Sequence, residues 1–304
     1  MRFGLFGTGY WAAETQAAAL AAHPDAVFVG VWGRDPAKAE ALAQRYAVRA
    51  YRDVDALIGD VDAVAVALPP DVQAPLAARA AEAGRHLLLD KPLALSMADA
   101  QRVVDAVERR GLASVVFFTN RFFPNVDAFL REAVEAGGWH GGRATMLGSI
   151  FHPGSPYGGS TWRRRWGGLW DVGPHALSVL VPVLGPVVEA AAMDAPHDTT
   201  QVLLRHAAGP VSAMVLSLDA PPNGTVFEFA FFGTGGVAAV PSGDGTVVEA
   251  FARAIGDVVR VAGDGATMHP CDVRFGRDVV ATLQAADLAR RERRTVRVTP
   301  GRPA

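Results

Sequence analysis

Five short runs are mainly apolar with no polar–apolar alternation: RFGLF (2–6), VFVGVW (27–32), AVAVAL (63–68), HLLLD (86–90) and SVVFF (114–118). A strand with one face in water alternates apolar and polar residues, whereas a strand buried on both faces does not. Stretches of helical composition separate the runs, near 10–22, 36–46, 71–83 and 97–110. Asp35-Pro36 reads as a helix start, with Asp as the cap and Pro at the first helical position. Buried strands alternating with helices imply an α/β domain, a doubly wound parallel sheet, over residues 1 to about 120.

The pattern changes beyond that point. A helix near 123–136 ends at Gly137-Gly138, and strand-like runs follow at 143–151, 187–193, 199–206, 211–218, 225–232 and 236–240. Short turns between them suit an antiparallel sheet. Helices near 172–184 and 272–291 would cover one face, leaving an open sheet. Residues 121–304 therefore read as a second, α+β domain with a mostly antiparallel sheet. Residues 152–168, rich in Gly, Pro, Trp and Arg, read as a loop too long to be a simple connector. TVRV (295–298) reads as a closing strand that returns to one of the two sheets, the first domain's included.

The segment GTGYWA (7–12) follows the first strand and opens a helix. Gly7 permits the tight turn, Gly9 lets the backbone approach a pyrophosphate, and Ala12 allows close helix–strand packing. Free N–H groups at the helix start, around Thr8, Tyr10 and Trp11, suit phosphate oxygens. Glycines also end strands for steric reasons alone, but this motif lies in the strand–turn–helix context that dinucleotide binding requires. The second strand ends at Trp32-Gly33-Arg34-Asp35. An acid there would hold the ribose hydroxyls of NAD, but Asp35 is better used as the cap before Pro36. Arg34 is then available for a 2′-phosphate, which favours NADP over NAD; the plain alternative is a solvated arginine.

The bulk numbers exclude several partners. With 29 basic and 31 acidic residues, no electrostatic field favours nucleic acid or an anionic membrane. No apolar run approaches the roughly 18 residues that span a bilayer. The single cysteine, Cys271, allows no internal disulfide, which fits a reducing cytoplasm. The eight histidines are scattered without ligand spacing, so no metal site is expected.

Longer stretches resemble the glucose-fructose oxidoreductase/inositol dehydrogenase (Gfo/Idh/MocA) family. They are LPPDVQAPLAARAAEAGRHLLLDKPLALS (68–96), GGLWDVGPHALSVLVPVLGPV (167–187), the strands from DTTQVLLRH to FEFAFFGTGGV, and FGRDVVATLQAADLARRERRTVRV (275–298). With the glycine turn, the resemblance covers nearly the whole chain. The resemblance implies an NAD(P)-dependent dehydrogenase or reductase acting on CH–OH groups of a sugar, cyclitol or similar polyol. It implies cofactor contacts from Gly7, Thr8, Gly9, Tyr10, Trp11, Gly33, Arg34, Leu68, Pro69, Gln73, Asp90, Lys91 and Asn120. It also implies a cis bond before Pro92 and a homo-oligomer formed through the open C-terminal sheet. The chain departs from the family pattern at Asp90, where Glu is commoner, at Gln73, where many members have His, and at Ser178, where an acid often follows the histidine.

Lys91 stands just past the end of a parallel strand, where ligands of such sheets bind. By resemblance it orients substrate and helps move a proton; otherwise it is a turn lysine before Pro92. Asp171 and His175, four apart, would share a helix face, and a carboxylate beside an imidazole fixes its tautomer and raises its basicity. The bland reading makes Asp171 a helix cap and His175 structural. The catalytic set is thus Lys91, His175 and Asp171, in a cleft between the domains, with the main proton carrier open between Lys91 and His175. Arg121, Tyr157, Trp162 and Arg163 are candidate substrate contacts. Two rival readings remain open: a non-catalytic cofactor-binding regulator, and a reductase of an imine, tetrapyrrole or dihydrodiol.

Overall fold

The computed structural model describes residues 1–265 and 268–299. The chain divides into two compact units: residues 1–122 with 245–277, and residues 123–244 with 278–304. The single boundary expected near 120 is therefore incomplete, because the chain returns to the first unit for more than thirty residues.

The first unit is built on six parallel strands: β1 (Arg2–Phe6), β2 (Val27–Trp32), β3 (Arg49–Tyr51), β4 (Ala63–Val66), β5 (His86–Asp90) and β6 (Ser114–Phe117). Their order is β3-β2-β1-β4-β5-β6, so the strand order reverses between β1 and β4. β4 and β6 are buried at every position, as their unbroken apolar runs require. Helices Pro36–Arg45, Pro70–Glu82 and Met97–Arg110 lie where the sequence places them. Asp35 caps the first, accepting from the N–H groups of Ala37 at 3.0 Å and Lys38 at 3.3 Å. β3 and the helix Val54–Gly59 are additional to the sequence reading; three residues are too few to show a period.

The returning segment brings the helix Val247–Gly263, which the sequence reading passed over. Its start is a reciprocal cap: Glu249 N–H donates to Thr246 Oγ1 at 3.2 Å, and Thr246 N–H donates to Glu249 Oε2 at 2.7 Å. Phe251, Ala254, Ile255 and Val258 are fully buried on its inner stripe, facing β5 and β6. Phe251 meets Phe117 edge-on at 4.9 Å between ring centroids. Val116 of β6 donates its N–H to Cys271 O at 2.7 Å, so the same segment also supplies a partner to the outermost strand.

The second unit holds a seven-stranded sheet: β7 (Trp139–Leu147), β8 (Val187–Ala195), β9 (Thr199–His206), β10 (Val211–Ser217), β11 (Val226–Gly233), β12 (Gly236–Ala239) and β13 (Val296–Arg297). The order is β12-β11-β7-β10-β9-β8-β13, antiparallel except for the β7–β10 pair. β13 pairs with β8, so the closing strand belongs to this sheet and does not return to the first. Helix Gly173–Leu184 packs on β7 and β10. On β9 and β10 the covered positions Val202, Leu204, Met214 and Leu216 are almost wholly buried. On the opposite face Leu203 is 56% exposed, and Met193 of β8 is 75% exposed. The segment read as a loop over 152–168 is helical from Thr161 onward, which puts Trp162 and Arg163 on the helix Thr161–Asp171.

Candidate functional site

In the first unit the glycine turn lies at the reversal of strand order, the position where open α/β sheets take ligands. Gly7 has φ +134°, and a Cβ there would stand 2.5 Å from Ala67 O. Its N–H donates to Trp32 O at 2.8 Å, tying the turn to the end of β2. Thr8 packs against Gly33, where any Cβ would meet Thr8 Cγ2 at 2.5 Å. A Cβ at Gly9 would meet nothing within 4 Å, so the turn is open where a pyrophosphate must approach. The helix that follows carries a π-helical turn at Ala12–Gln16, a feature that recurs at functional sites. Tyr10 is exposed, and Trp11 is half-buried, with its Nε1 buried and without an acceptor among the described residues. These features fit a bound dinucleotide. Gln16, absent from the sequence reading, is fully buried and reaches across the reversal, donating from Nε2 to Val66 O at 3.2 Å.

At the end of β2, Arg34 is exposed, and among the described residues no carboxylate lies within ion-pair distance of it. Asp35 is engaged as the helix cap. Leu68 and Pro69 follow β4, half-buried, with Pro69 at the cap position of helix Pro70–Glu82. Asn120 and Arg121 lie in a single 3-10 turn, Thr119–Phe122, directly after β6, and both are half-buried.

Lys91 follows β5 directly, and the Lys91–Pro92 bond is cis, as the resemblance implies. Its N–H donates to Asp90 Oδ1 at 2.8 Å. Gln73 departs from its expected role as a cofactor contact. It is fully buried and spends its amide on backbone: Nε2 donates to Asp90 O at 2.7 Å and Pro92 O at 3.1 Å, and Oε1 accepts from Asp90 N–H at 2.9 Å. It holds the strand end that carries Lys91.

In the second unit, helix Thr161–Asp171 breaks at Gly167 (φ +64°, ψ −166°) and is followed at once by helix Gly173–Leu184. Val172, not Asp171, occupies the cap position, and no side chain caps that helix. The carboxylate of Asp171, a buried residue, accepts from Arg163 Nε at 3.0 Å. The Arg163 guanidinium also lies over two rings, Tyr157 at 4.8 Å and Trp162 at 4.7 Å from the centroids. Tyr157, Trp162 and Arg163, expected as substrate contacts, form one cation–aromatic stack whose guanidinium also bonds Asp171. His175 stands in the first turn of the next helix, half-buried, its N–H bonded to Val172 O at 3.1 Å. Ser178 Oγ donates to His175 O at 2.8 Å.

A residue missed from the sequence is Asp198, in the β8–β9 turn. Its Oδ2 accepts from Gly168 N–H at 2.8 Å and Leu218 N–H at 3.1 Å. Nothing in the run Pro196-His197-Asp198-Thr199 announces a contact thirty residues away. Among the described residues no group of three or more His, Cys, Asp or Glu is placed to hold a metal. No helix among them is long and apolar enough to cross a membrane.

A doubly wound sheet with an open glycine turn at its strand reversal, joined to a second unit with an open mixed sheet, defines a nicotinamide-dependent oxidoreductase scaffold. Residues 1–118 match the oxidoreductase family with an NAD-binding Rossmann fold. The dTDP-3,4-didehydro-2,6-dideoxy-alpha-D-glucose 3-reductase of Streptomyces antibioticus is 31% identical over 76% of this chain and 69% of its own. The inositol 2-dehydrogenase of Rhizobium meliloti (strain 1021) is 34% identical over 45% of this chain and 41% of its own. The WlbA dehydrogenase from Bordetella pertussis, solved with NADH and UDP-GlcNAcA, has the same fold, with TM-score 0.84 at 22% identity over 99% of both chains. The chain belongs to the Gfo/Idh/MocA family of oxidoreductases.

Proposed function

We propose that this protein is an NADP(H)-preferring dehydrogenase or reductase that interconverts a secondary alcohol and a ketone on a sugar, cyclitol or similar polyol. The observation that carries this reading is Lys91, held by Gln73 at the end of β5 in the same unit as the glycine turn. The sugar- and cyclitol-directed names of the relatives support the substrate class. Arg34, exposed beside a capping Asp35, supports NADP over NAD.

Gly7, Thr8, Gly9 and the following helix start would hold the pyrophosphate, and Arg34 the 2′-phosphate. A bound nicotinamide supplies or accepts the hydride. The protein's part is position and the proton. In the alcohol-oxidising direction the carbon gives up a hydride and the hydroxyl a proton. Lys91 Nζ, in the unit that holds the glycine turn, hydrogen-bonds the reacting oxygen, and the proton is carried by Lys91 or by the His175 ring. Asp171, anchored by Arg163, stands four residues before His175 in the same short stretch.

We further propose a homo-oligomer built on the open sheet face that carries Met193 and Leu203, and a cytoplasmic location consistent with the lone Cys271. Fluorescence titration with NADPH and NADH, followed by a polyol, sugar and ketone panel, tests the function. The reading fails if neither nucleotide binds below millimolar concentration. Tighter binding of NADH than of NADPH removes the role given to Arg34.

A further inference from the structure

We infer that Asp198 is a positioning residue for the reaction: it fixes the Gly167–Gly168 break and so sets the pose of Asp171. The inference rests on the function proposed above. Three observations in the second unit carry it.

First, the turn is shaped to aim this side chain. His197 and Asp198 both adopt left-handed backbone, φ +58° and +53°, as the two central residues of a tight hairpin turn between β8 and β9. Aspartate tolerates that region better than most residues. His197 O accepts from Ser217 Oγ at 2.8 Å, so the tip of the turn is pinned to the end of β10.

Second, one carboxylate oxygen bridges two separate backbone segments. Oδ2 takes the N–H of Gly168 and the N–H of Leu218. Packing around the carboxylate pushes its pKa above the ordinary aspartate value, although both N–H bonds pull it down.

Third, the break leaves no slack. A Cβ on Gly167 would stand 2.1 Å from Asp198 Oδ1, and one on Gly168 would stand 2.9 Å from the Ser217 backbone. Asp171 lies three residues beyond Gly168, on the same short helical turn. A shift of the break is therefore delivered to Asp171 without a flexible joint between them.

The test compares Asp198→Gly, Asp198→Asn and Asp198→Glu in the full chain. Glycine keeps the left-handed turn but removes the acceptor. Asparagine keeps both, with one oxygen able to take both N–H groups. Glutamate keeps the charge and misplaces the oxygen. We expect D198G and D198E to lower kcat at least tenfold with KM changed less than threefold. D198N should retain at least a third of wild-type kcat. NADPH Kd should stay within twofold in all three, because that site lies in the other unit. The near-UV circular dichroism of the Trp166–Trp170 pair, 5.4 Å apart and next to the break, should change in D198G and not in D198N. Wild-type kcat in D198G, with an unchanged tryptophan spectrum, overturns the inference. Should D198G fail to fold, wild-type kcat in D198E overturns it equally. A wild type that turns over no substrate in the panel would sink the assigned reaction, and the tryptophan spectra would then decide the clamp on their own.

Discussion

Gln73 and Asp90 exchange two hydrogen bonds, Nε2 to Asp90 O at 2.7 Å and Asp90 N–H to Oε1 at 2.9 Å, so a helix side chain completes the backbone pairing of a strand end. The consequence for Lys91, one residue on, is a fixed point of departure. Gln73→Ala removes the amide that bonds Asp90 N–H, Asp90 O and Pro92 O, at about 1–3 kcal/mol for a buried group left unsatisfied. We expect urea denaturation to show a loss of about 3 kcal/mol on that basis, with the m-value unchanged. Turnover should fall along with it. Wild-type stability in Gln73→Ala would show that water replaces the amide without cost.

Lys91→Met should lower kcat by about 10²–10⁴-fold, the usual range for loss of a positioned proton-transfer group. Lys91→Arg should not restore it, because a planar guanidinium cannot replace a compact ammonium. NADPH affinity should change only a few-fold, which separates chemistry from cofactor binding. His175→Gln should abolish one limb of the kcat/KM profile against pH. If that limb survives in His175→Gln and disappears in Lys91→Met, lysine is the main proton carrier.

Arg163 and Asp171 form a partly buried ion pair, with side chains 20% and 4% exposed. Arg163→Met removes a partner from a buried charge and should cost about 3 kcal/mol. The double variant Arg163→Met/Asp171→Asn should recover most of that stability, since the charge is gone, and stay slow in turnover. Thermal melts and kcat of the two variants measure both expectations; recovery of turnover in the double variant would remove Asp171 from the mechanism.

Arg34→Ser should weaken NADPH about tenfold, about 1.4 kcal/mol, as expected for one charge-assisted contact to a phosphate. NADH binding should move less than twofold. Equal effects on both nucleotides in the fluorescence titration would mean that Arg34 touches something common to them.

His206 is buried, with Nδ1 2.6 Å from Gly185 O and Nε2 2.8 Å from Ser212 Oγ. Burial pushes its pKa below the ordinary 6.5, against the raising effect of Gly185 O. His86 in the other unit is likewise lowered by burial, against the field of Asp62. For both, the unfolded chain binds protons that the native state refuses, so protonation favours unfolding. Stability should be full above pH 6.5 and decline as the pH falls through each native pKa. Melting temperature between about pH 6.5 and 5, above the range where most carboxylates titrate, isolates this effect. The decline should be shallower in His206→Asn; an unchanged slope would assign it elsewhere.

Most of the first sheet was legible because strands such as β4 and β6 are buried at every position, which writes them as apolar runs without alternation. The glycine turn and the Asp35 cap were legible because backbone needs there select single residue types. The helix Val247–Gly263 was passed over although Thr246 and Glu249 form a capping box ahead of an amphipathic stripe, and its place in the first unit is not written locally at all. β3 was too short to show a period.

The sequence by itself determined local geometry: apolar periods, caps, and the positions where only glycine fits. Tertiary structure decided the pairings between distant residues. Gln73 was one more polar residue on a helix until the fold set it against the end of β5. Arg163 was part of a basic run until the helix start at Thr161 stacked it on two rings and aimed it at Asp171. Asp198 was a turn residue until the β8–β9 hairpin brought it to Gly168. The physical reason is the same in each case. A local preference depends on neighbours a few residues away and is written in the order of the chain. A hydrogen bond across 17 or 30 residues depends on which surfaces pack, and that is settled only when the whole core forms.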